Sequence, residues 1–413
     1  MACGSISDRS FTARWVFPVS GPPLHGGCVT VQGDRIVAVE PHPRADAVDL
    51  GDVAILPGLV NAHTHLEFSH YERPLGHAGM SLPDWIRGVV ASRRMSTNYP
   101  VASIALGVTE SWQSGTTTLG EIATAGWTET ALAAAPFDVI AFYELLGLRA
   151  ERVVERLEDA EQFVARARDA SRWQGGISPH APYSVHPELV VGLIRLATAN
   201  QMPVAMHLAE SREELELLSS GSGPFRAMLE ELGAWDPAAI PPGTRPLAFL
   251  QLLVEAPRSL VIHGNYLEPD ELEFLAINSE RTSVVYCPRT HAYFEHDRYP
   301  LARLLALGAS VALGTDSRAS NPDLSILAEM RFVARKFPTI APAEVLRLGT
   351  LAGAKALGCH ADAGTLDVGK LANLTMVAIP AGETGDPHEL LWASGLPVVE
   401  TYHRGTLVRG GSL

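Results

Sequence analysis

Between Ile55 and about Leu357, apolar runs of strand length alternate with longer amphipathic stretches, and no other feature of the chain restricts its fold as much. The strand-like runs are Ile55 to His65, Thr116 to Ile122, Asp138 to Glu144, Gly176 to His180, Val204 to His207, Leu260 to His263, Ser283 to Tyr286 and Val311 to Thr315. Helical periodicity falls between them, for example over Val101 to Gln113, Ala150 to Ala170, Pro187 to Asn200 and Leu324 to Phe337. Eight strands joined by crossovers of helical length predict a parallel sheet closed into a (β/α)8 barrel. In such a barrel the reactive groups gather at the C-terminal strand ends. Both ends of the chain lack this alternation and read as short strands with turns, Gly33-Asp34 marking one hairpin.

A chain of 413 residues has room for one barrel and a smaller appended domain. Its 46% apolar and 19% charged residues describe a globular chain. The 46 acidic residues exceed the 32 Lys plus Arg, and a net charge of -14 argues against nucleic acid or an anionic membrane as partner. A small-molecule substrate is the expectation. Cys3, Cys28, Cys287 and Cys359 lie far apart without a C-x-x-C, which predicts neither a zinc knuckle nor a disulfide framework. No apolar run reaches the roughly 18 residues of a membrane span. Met1 to Ser20 is interrupted by Asp8, Arg9 and Arg14, unlike a signal peptide, so a cytoplasmic location is expected.

The first strand ends in Leu56-Pro-Gly-Leu-Val-Asn-Ala-His63-Thr-His65-Leu-Glu67. Side chains alternate faces along a strand, so His63 and His65 point the same way and can grip one divalent ion. Alone, a His-x-His is more often incidental. Further candidates change the balance, because His207, His263 and Asp316 each end an apolar run of their own.

Pro57-Gly-Leu-Val-Asn-Ala-His63-Thr-His65, His207-Leu-Ala-Glu210, His263-Gly-Asn, Cys287-Pro and Gly314-Thr-Asp316-Ser together resemble the metal-dependent amidohydrolase superfamily, in its cytosine/adenosine deaminase-related branch. The resemblance spans essentially the whole chain. It implies a small β-sandwich built from both termini, residues 1–55 and 366–413, around a catalytic barrel of residues 56–365. It also implies His63, His65, His207 and Asp316 as metal ligands, with His263 touching the attacking water or the substrate. Three imidazoles and a carboxylate suit Zn²⁺ first, with Fe²⁺ or Mn²⁺ as alternatives. No lysine precedes Lys336, and the strand-four position where dinuclear relatives carry a carboxylated lysine holds His180. One metal is therefore expected, a pair bridged by Glu121 or Glu144 being the lesser alternative.

Such an ion lowers the pKa of a bound water toward neutrality. Hydrolysis of an aromatic amidine also needs a group that protonates the ring and then the departing amine. Glu210 is placed for that task and Asp316 to accept the water's proton. Taken singly, Glu210 reads as a cap for the helix begun by Ser211-Arg-Glu-Glu, His263 as a buried histidine, and Asp316 as a turn former.

Within the branch, Ser178-Pro-His180-Ala-Pro-Tyr183-Ser, His65-Leu-Glu67-Phe68-Ser69 and Ser320-Asn321-Pro-Asp-Leu-Ser-Ile resemble the aminodeoxyfutalosine deaminases of menaquinone biosynthesis. The resemblance implies substrate contacts from His180, Glu67, Ser317 and Asn321. Trp85 stands where relatives place an aromatic lid, although Trp85-Ile86 also fits the core side of an amphipathic helix. Arg93-Arg94 occupies the region where methylthioadenosine and S-adenosylhomocysteine deaminases carry a ribose-binding Glu, and Arg94 is expected to take a substrate carboxylate. The Cys287-Pro-Arg-Thr290-His291-Ala-Tyr293-Phe294 loop departs from the relatives' Cys-Pro-x-Ser-Asn, so His291, Tyr293 and Phe294 are expected to reshape the pocket. Alternatives are deamination of adenosine, methylthioadenosine, S-adenosylhomocysteine, guanine, a pterin or a triazine, or chlorohydrolysis. More remote is a non-catalytic scaffold. A homodimer is left open.

Overall fold

The computed structural model describes residues 8–95, 100–132, 135–393 and 395–410. Its centre is an eight-stranded parallel sheet in strict sequential order: β1 Leu59–Thr64, β2 Thr116–Ala123, β3 Asp138–Leu145, β4 Gln174–Pro179, β5 Val204–Leu208, β6 Ser259–His263, β7 Thr282–Tyr286 and β8 Ser310–Leu313. β8 returns to β1 through a parallel bridge between Thr64 and Asp316, reinforced by the N–H groups of Thr315 and Asp316 donating to the carbonyl of His63 at 3.1 Å. The ring thus closes at the point where the first and last proposed ligands stand. Gly314 permits this closure, since a Cβ there would lie 2.9 Å from both Cβ and O of His63.

An apolar cluster containing Ile122, Phe142, Ala205, Ile262, Val285 and Ala312 draws on strands from opposite sides of the ring. The barrel is therefore packed through its centre, and space for a ligand lies beyond the strand ends. A larger cluster seats the helices on the barrel, with Phe163 of helix Val153–Asp169, Leu193 of Pro187–Ala199 and Met330 of Ile326–Lys336 all buried.

The run read as one strand from Ile55 to His65 is two. Val53–Pro57 belongs to a six-stranded sheet with Leu374–Ala378, Val398–His403, Thr406–Gly410, Trp15–Val16 and Leu24–His25. The chain breaks at Gly58, where any Cβ would sit 2.0 Å from Oγ1 of Thr117. A four-stranded sheet of Arg35–Glu40, Cys28–Gln32, Arg9–Thr12 and Val48–Asp49 faces it. Phe11, Val29, Val31 and Ile36 of the smaller sheet share one core with Val16, Ile55, Leu374 and Met376 of the larger, giving a sandwich stitched from both ends of the chain. Among the described residues no helix is long and apolar enough to cross a membrane, and Cys28, Cys287 and Cys359 are unbridged.

Candidate active site

At the C-terminal strand ends the structure brings His63, His65 and His207 together, with one ring nitrogen of each lying within 4.8 Å of the others. Asp316 Oδ1 stands 3.7 Å from Nε2 of both His63 and His65. Its Oδ2 accepts from Ser320 Oγ at 2.8 Å, which leaves Oδ1 to face the imidazoles. All four residues are buried. Both ring nitrogens of His63 and Nδ1 of His65 nonetheless have no hydrogen-bond partner. A buried polar atom left unpaired costs about 1–3 kcal/mol, and since a neutral imidazole has one lone-pair nitrogen, His63 at least presents a lone pair that no protein donor takes, as a metal site requires. Burial, and next the neighbouring imidazole of His63, holds His65 and His207 well below ordinary histidine values. They are thereby kept in the neutral, ligating form. This donor set fits one divalent ion.

A second cluster, Glu144, His180 and His207, meets the same distance criterion. His207 cannot serve both, because its Nδ1 faces the carbonyl of His180 at 3.1 Å and leaves one nitrogen for a metal. The set with Asp316 is the fuller of the two. Glu121 is excluded as a bridge, since its carboxylate accepts the backbone N–H of Leu66 at 3.1 and 3.3 Å and holds the turn after His65. Glu144 Oε1 lies 3.9 Å from Nε2 of His180 and is otherwise unpaired. Burial raises Glu144 to about 7 and lowers His180 to about 3.

Glu210 is buried beside this group, its Oε1 3.4 Å from Nε2 of His263. Burial foremost, then the carboxylates of Asp316 and Glu214, pushes Glu210 well above the carboxylate range, the direction a proton-donating acid needs. The capping alternative falls away, because Ser211 caps helix Arg212–Ser220 by accepting from the N–H of Glu214 at 3.2 Å. His263 is likewise more than a satisfied core residue. Three non-glycine residues at the strand ends, Ala209, His263 and Asp316, have φ of +53°, +68° and +56°. Each such residue costs about 1–3 kcal/mol, and their concentration here is typical of a working site.

A cavity of about 550 Å³ opens over these groups. His65, His180, His207, Glu210, His263, Asp316 and Ser317 line its deep end. Trp85 lines it from helix Leu82–Met95, its indole N–H donating to the carbonyl of Ala319 at 3.1 Å. Glu67 lies instead in an adjoining cavity of about 420 Å³, ion-paired with Arg93. Two expectations shift. Arg94 is exposed and lines neither cavity, whereas Arg93, one residue earlier and about 100° round the helix, lines both. Asn321 is fully buried, donating at 2.6 Å to the carbonyl of Thr315 and to Glu329, so it braces the turn after β8 and does not line the cavity.

The strand-seven loop folds as helix Pro288–Tyr293 and contributes nothing to the cavity wall. It acts at one remove: Phe294 packs edge-on against Trp85, with ring centroids 5.6 Å apart, and Tyr293 donates to the carbonyl of Leu75 at 2.6 Å. His291 packs among Tyr286, Tyr299 and His296. Sequence reasoning missed Arg149, Arg152 and Arg156, which follow β3 and also line the cavity. The available signal was their clustering just after a strand end.

A closed (β/α)8 barrel with three imidazoles, a carboxylate and a buried acid at its strand ends defines a metal-dependent hydrolase. The chain matches the model of the amidohydrolase family over residues 54–407 and belongs to that family. It is 30% identical to a 5-methylthioadenosine/S-adenosylhomocysteine deaminase of Moorella thermoacetica, over 88% of this chain and 83% of the relative. It is 28% identical to an aminodeoxyfutalosine deaminase of Deinococcus radiodurans, over 85% and 86%. The crystal structure of Helicobacter pylori aminofutalosine deaminase in complex with methylthio-coformycin superposes with a TM-score of 0.85 at 23% identity, covering 97% of this chain and all of that one.

Proposed function

We propose that this enzyme removes ammonia hydrolytically from a 6-aminopurine nucleoside with an anionic extension, aminodeoxyfutalosine being the leading substrate. The observation that carries the deamination is the buried Glu210 against His263, next to the imidazole cluster. His63, His65, His207 and Asp316 would hold one divalent ion, zinc by the character of the donors. That ion supplies Lewis-acid activation of the attacking water.

The chain's own groups divide the proton work. Asp316 Oδ1 faces the reacting centre and takes the water's proton. Glu210, whose burial favours its protonated form, gives its proton to the purine ring as attack occurs, then takes the hydroxyl proton of the tetrahedral carbon and passes it to the leaving amine, after which the proton held by Asp316 restores Glu210. His263 stays neutral, lowered by burial and by His63, and orients the water or the tetrahedral oxygen. His180, fixed by Ser184 Oγ at 2.6 Å, faces the cavity as a hydrogen-bonding partner for the nucleoside. Ser317 also borders the deep end, and Trp85 offers its face as a lid.

The anionic extension is read from four arginines that border the same cavity, Arg93, Arg149, Arg152 and Arg156. Each is partnered by an acidic neighbour, Arg93 with Glu67 and the others with Glu151, Glu155 or Asp159. A substrate carboxylate would therefore join existing networks. The relatives named for methylthioadenosine and S-adenosylhomocysteine favour a second reading, in which the extension is a thioether or amino-acid tail. The terminal sandwich, residues 1–55 with 366–413, is assigned a structural part. The test is ammonia release from aminodeoxyfutalosine, S-adenosylhomocysteine, methylthioadenosine, adenosine, guanine and a pterin. Preference for aminodeoxyfutalosine supports the leading reading, preference for the sulfur nucleosides the second, and no turnover of any purine contradicts both.

A further inference from the structure

The turn that carries Glu210 is held from both sides by residues that the chemistry does not use. Glu214, fully buried on the first turn of helix Arg212–Ser220, reaches back past its own helix. Its Oε1 accepts the N–H of Ala209 at 2.9 Å and its Oε2 that of Glu210 at 2.8 Å. A capping box formed by Ser211 and Glu214 would need the carboxylate only at the N-cap N–H. Here it gathers the two preceding N–H groups, including that of Ala209 in its left-handed conformation. From the opposite side Asn265, two residues beyond His263, donates through Nδ2 to the carbonyl of Glu210 at 2.8 Å. The N–H of Tyr266 donates to the carbonyl of Ala209 at 3.1 Å, and that of Gly264 to Leu208 at 3.0 Å.

We infer that Glu214 and Asn265 form a clamp on the backbone of Glu210 that sets its carboxyl against His263 and the reacting ring, making both positioning residues for the proton shuttle. The inference rests on the reading of Glu210 given above. The geometry explains why two side chains are needed. The strand ends at Leu208, and beyond it the chain following β6 holds the carbonyl of Ala209 but neither N–H of residues 209 and 210, so the left-handed turn would relax if Glu214 released them. A displacement of about 1 Å at a proton-transfer group is enough to cost on the order of 10²-fold in rate.

The experiment compares the wild-type enzyme, Glu214→Gln, Asn265→Leu and Glu210→Gln, all zinc-loaded and checked for metal content and melting temperature. Ammonia release from a 6-aminopurine nucleoside is set against chloride release from the 6-chloro analogue, whose leaving group departs without protonation. Gln at 214 presents an NH₂ to an N–H and must break one jaw of the clamp. Glu214→Gln is expected to lower kcat for the amine about 10- to 100-fold with KM little changed and zinc retained. Chloride release should fall less, so that the amine-to-chloride ratio shifts in the same direction as in Glu210→Gln. Should Glu214→Gln not accumulate as folded protein, Asn265→Leu, which removes only the donor to Glu210 O, reads the other jaw by the same ratio. Equal losses for both leaving groups, or full activity beside an inactive Glu210→Gln, would overturn the clamp alone. A metal-loaded wild-type enzyme that releases no ammonia overturns the clamp together with the reading it rests on.

Discussion

The buried wall of the cavity, its deep end, and the exposed wall, its mouth, are built on different principles. At the deep end the groups stand on strand termini, are buried, and have their backbones fixed by neighbouring strands, as where His63 O receives the N–H of both Thr315 and Asp316. At the mouth the arginines stand on helices and loops, and the side chains of Arg93, Arg149 and Arg152 are 45–51% exposed. Rigid placement suits chemistry, whose geometry tolerates little error, while long exposed side chains suit recognition of a flexible extension. Mutations at the deep end should therefore change kcat and metal content, and mutations at the mouth should change KM and substrate preference.

The largest effect should come from the ligands. Removing the ion with a chelator, or replacing His63 with Ala, should abolish turnover by several orders of magnitude; zinc restores the first and not the second, as metal analysis and ammonia assays would show. A His63→Ala enzyme with bound metal and full activity would erase the distinction between the ends. Next, Glu210→Gln should lower kcat about 10²- to 10⁴-fold with metal retained, a loss typical of a missing general acid. At the mouth, Arg93→Met should raise KM for a carboxylated nucleoside about tenfold, the worth of one charge-assisted contact, and leave adenosine nearly unchanged. Equal effects on both substrates would remove Arg93 from recognition. Smallest of all, Trp85→Phe gives up the hydrogen bond to Ala319 O, about 1 kcal/mol, and should lower the melting temperature by only about 1 °C without changing metal content.

The same contrast decides what could be read from the sequence. The ligand end was legible because strand periodicity is two: His63 and His65 must share a face, and apolar runs ending in His207, His263 and Asp316 mark strand ends at one rim. The mouth was not, because one residue on a helix is a turn of about 100°, and from sequence Arg93 and Arg94 are equally plausible. In the structure Arg93, and not the expected Arg94, lines the cavity. Asn321 sits in the Ser320-Asn321-Pro stretch that carries the family resemblance yet points into the protein, since a polar side chain bracing a turn and one touching substrate have the same signature in sequence. Arg149, Arg152 and Arg156 follow β3 in a stretch whose charge pattern reads as a solvated helix face. Glu214 had a signal in Ser211-Arg-Glu-Glu214, the pattern of a capping box, but only coordinates show it extending to residues 209 and 210.

The most direct test of the deep end's assigned chemistry measures ammonia release and bound metal on the same samples of wild-type enzyme and Glu210→Gln, with aminodeoxyfutalosine as substrate. The expected result is about one equivalent of divalent metal in both proteins, rapid ammonia release by the wild type and a loss of at least about a hundredfold in the variant. A variant that keeps both its metal and its rate would contradict the assignment of Glu210 as the proton shuttle, and with it the functional reading of the site.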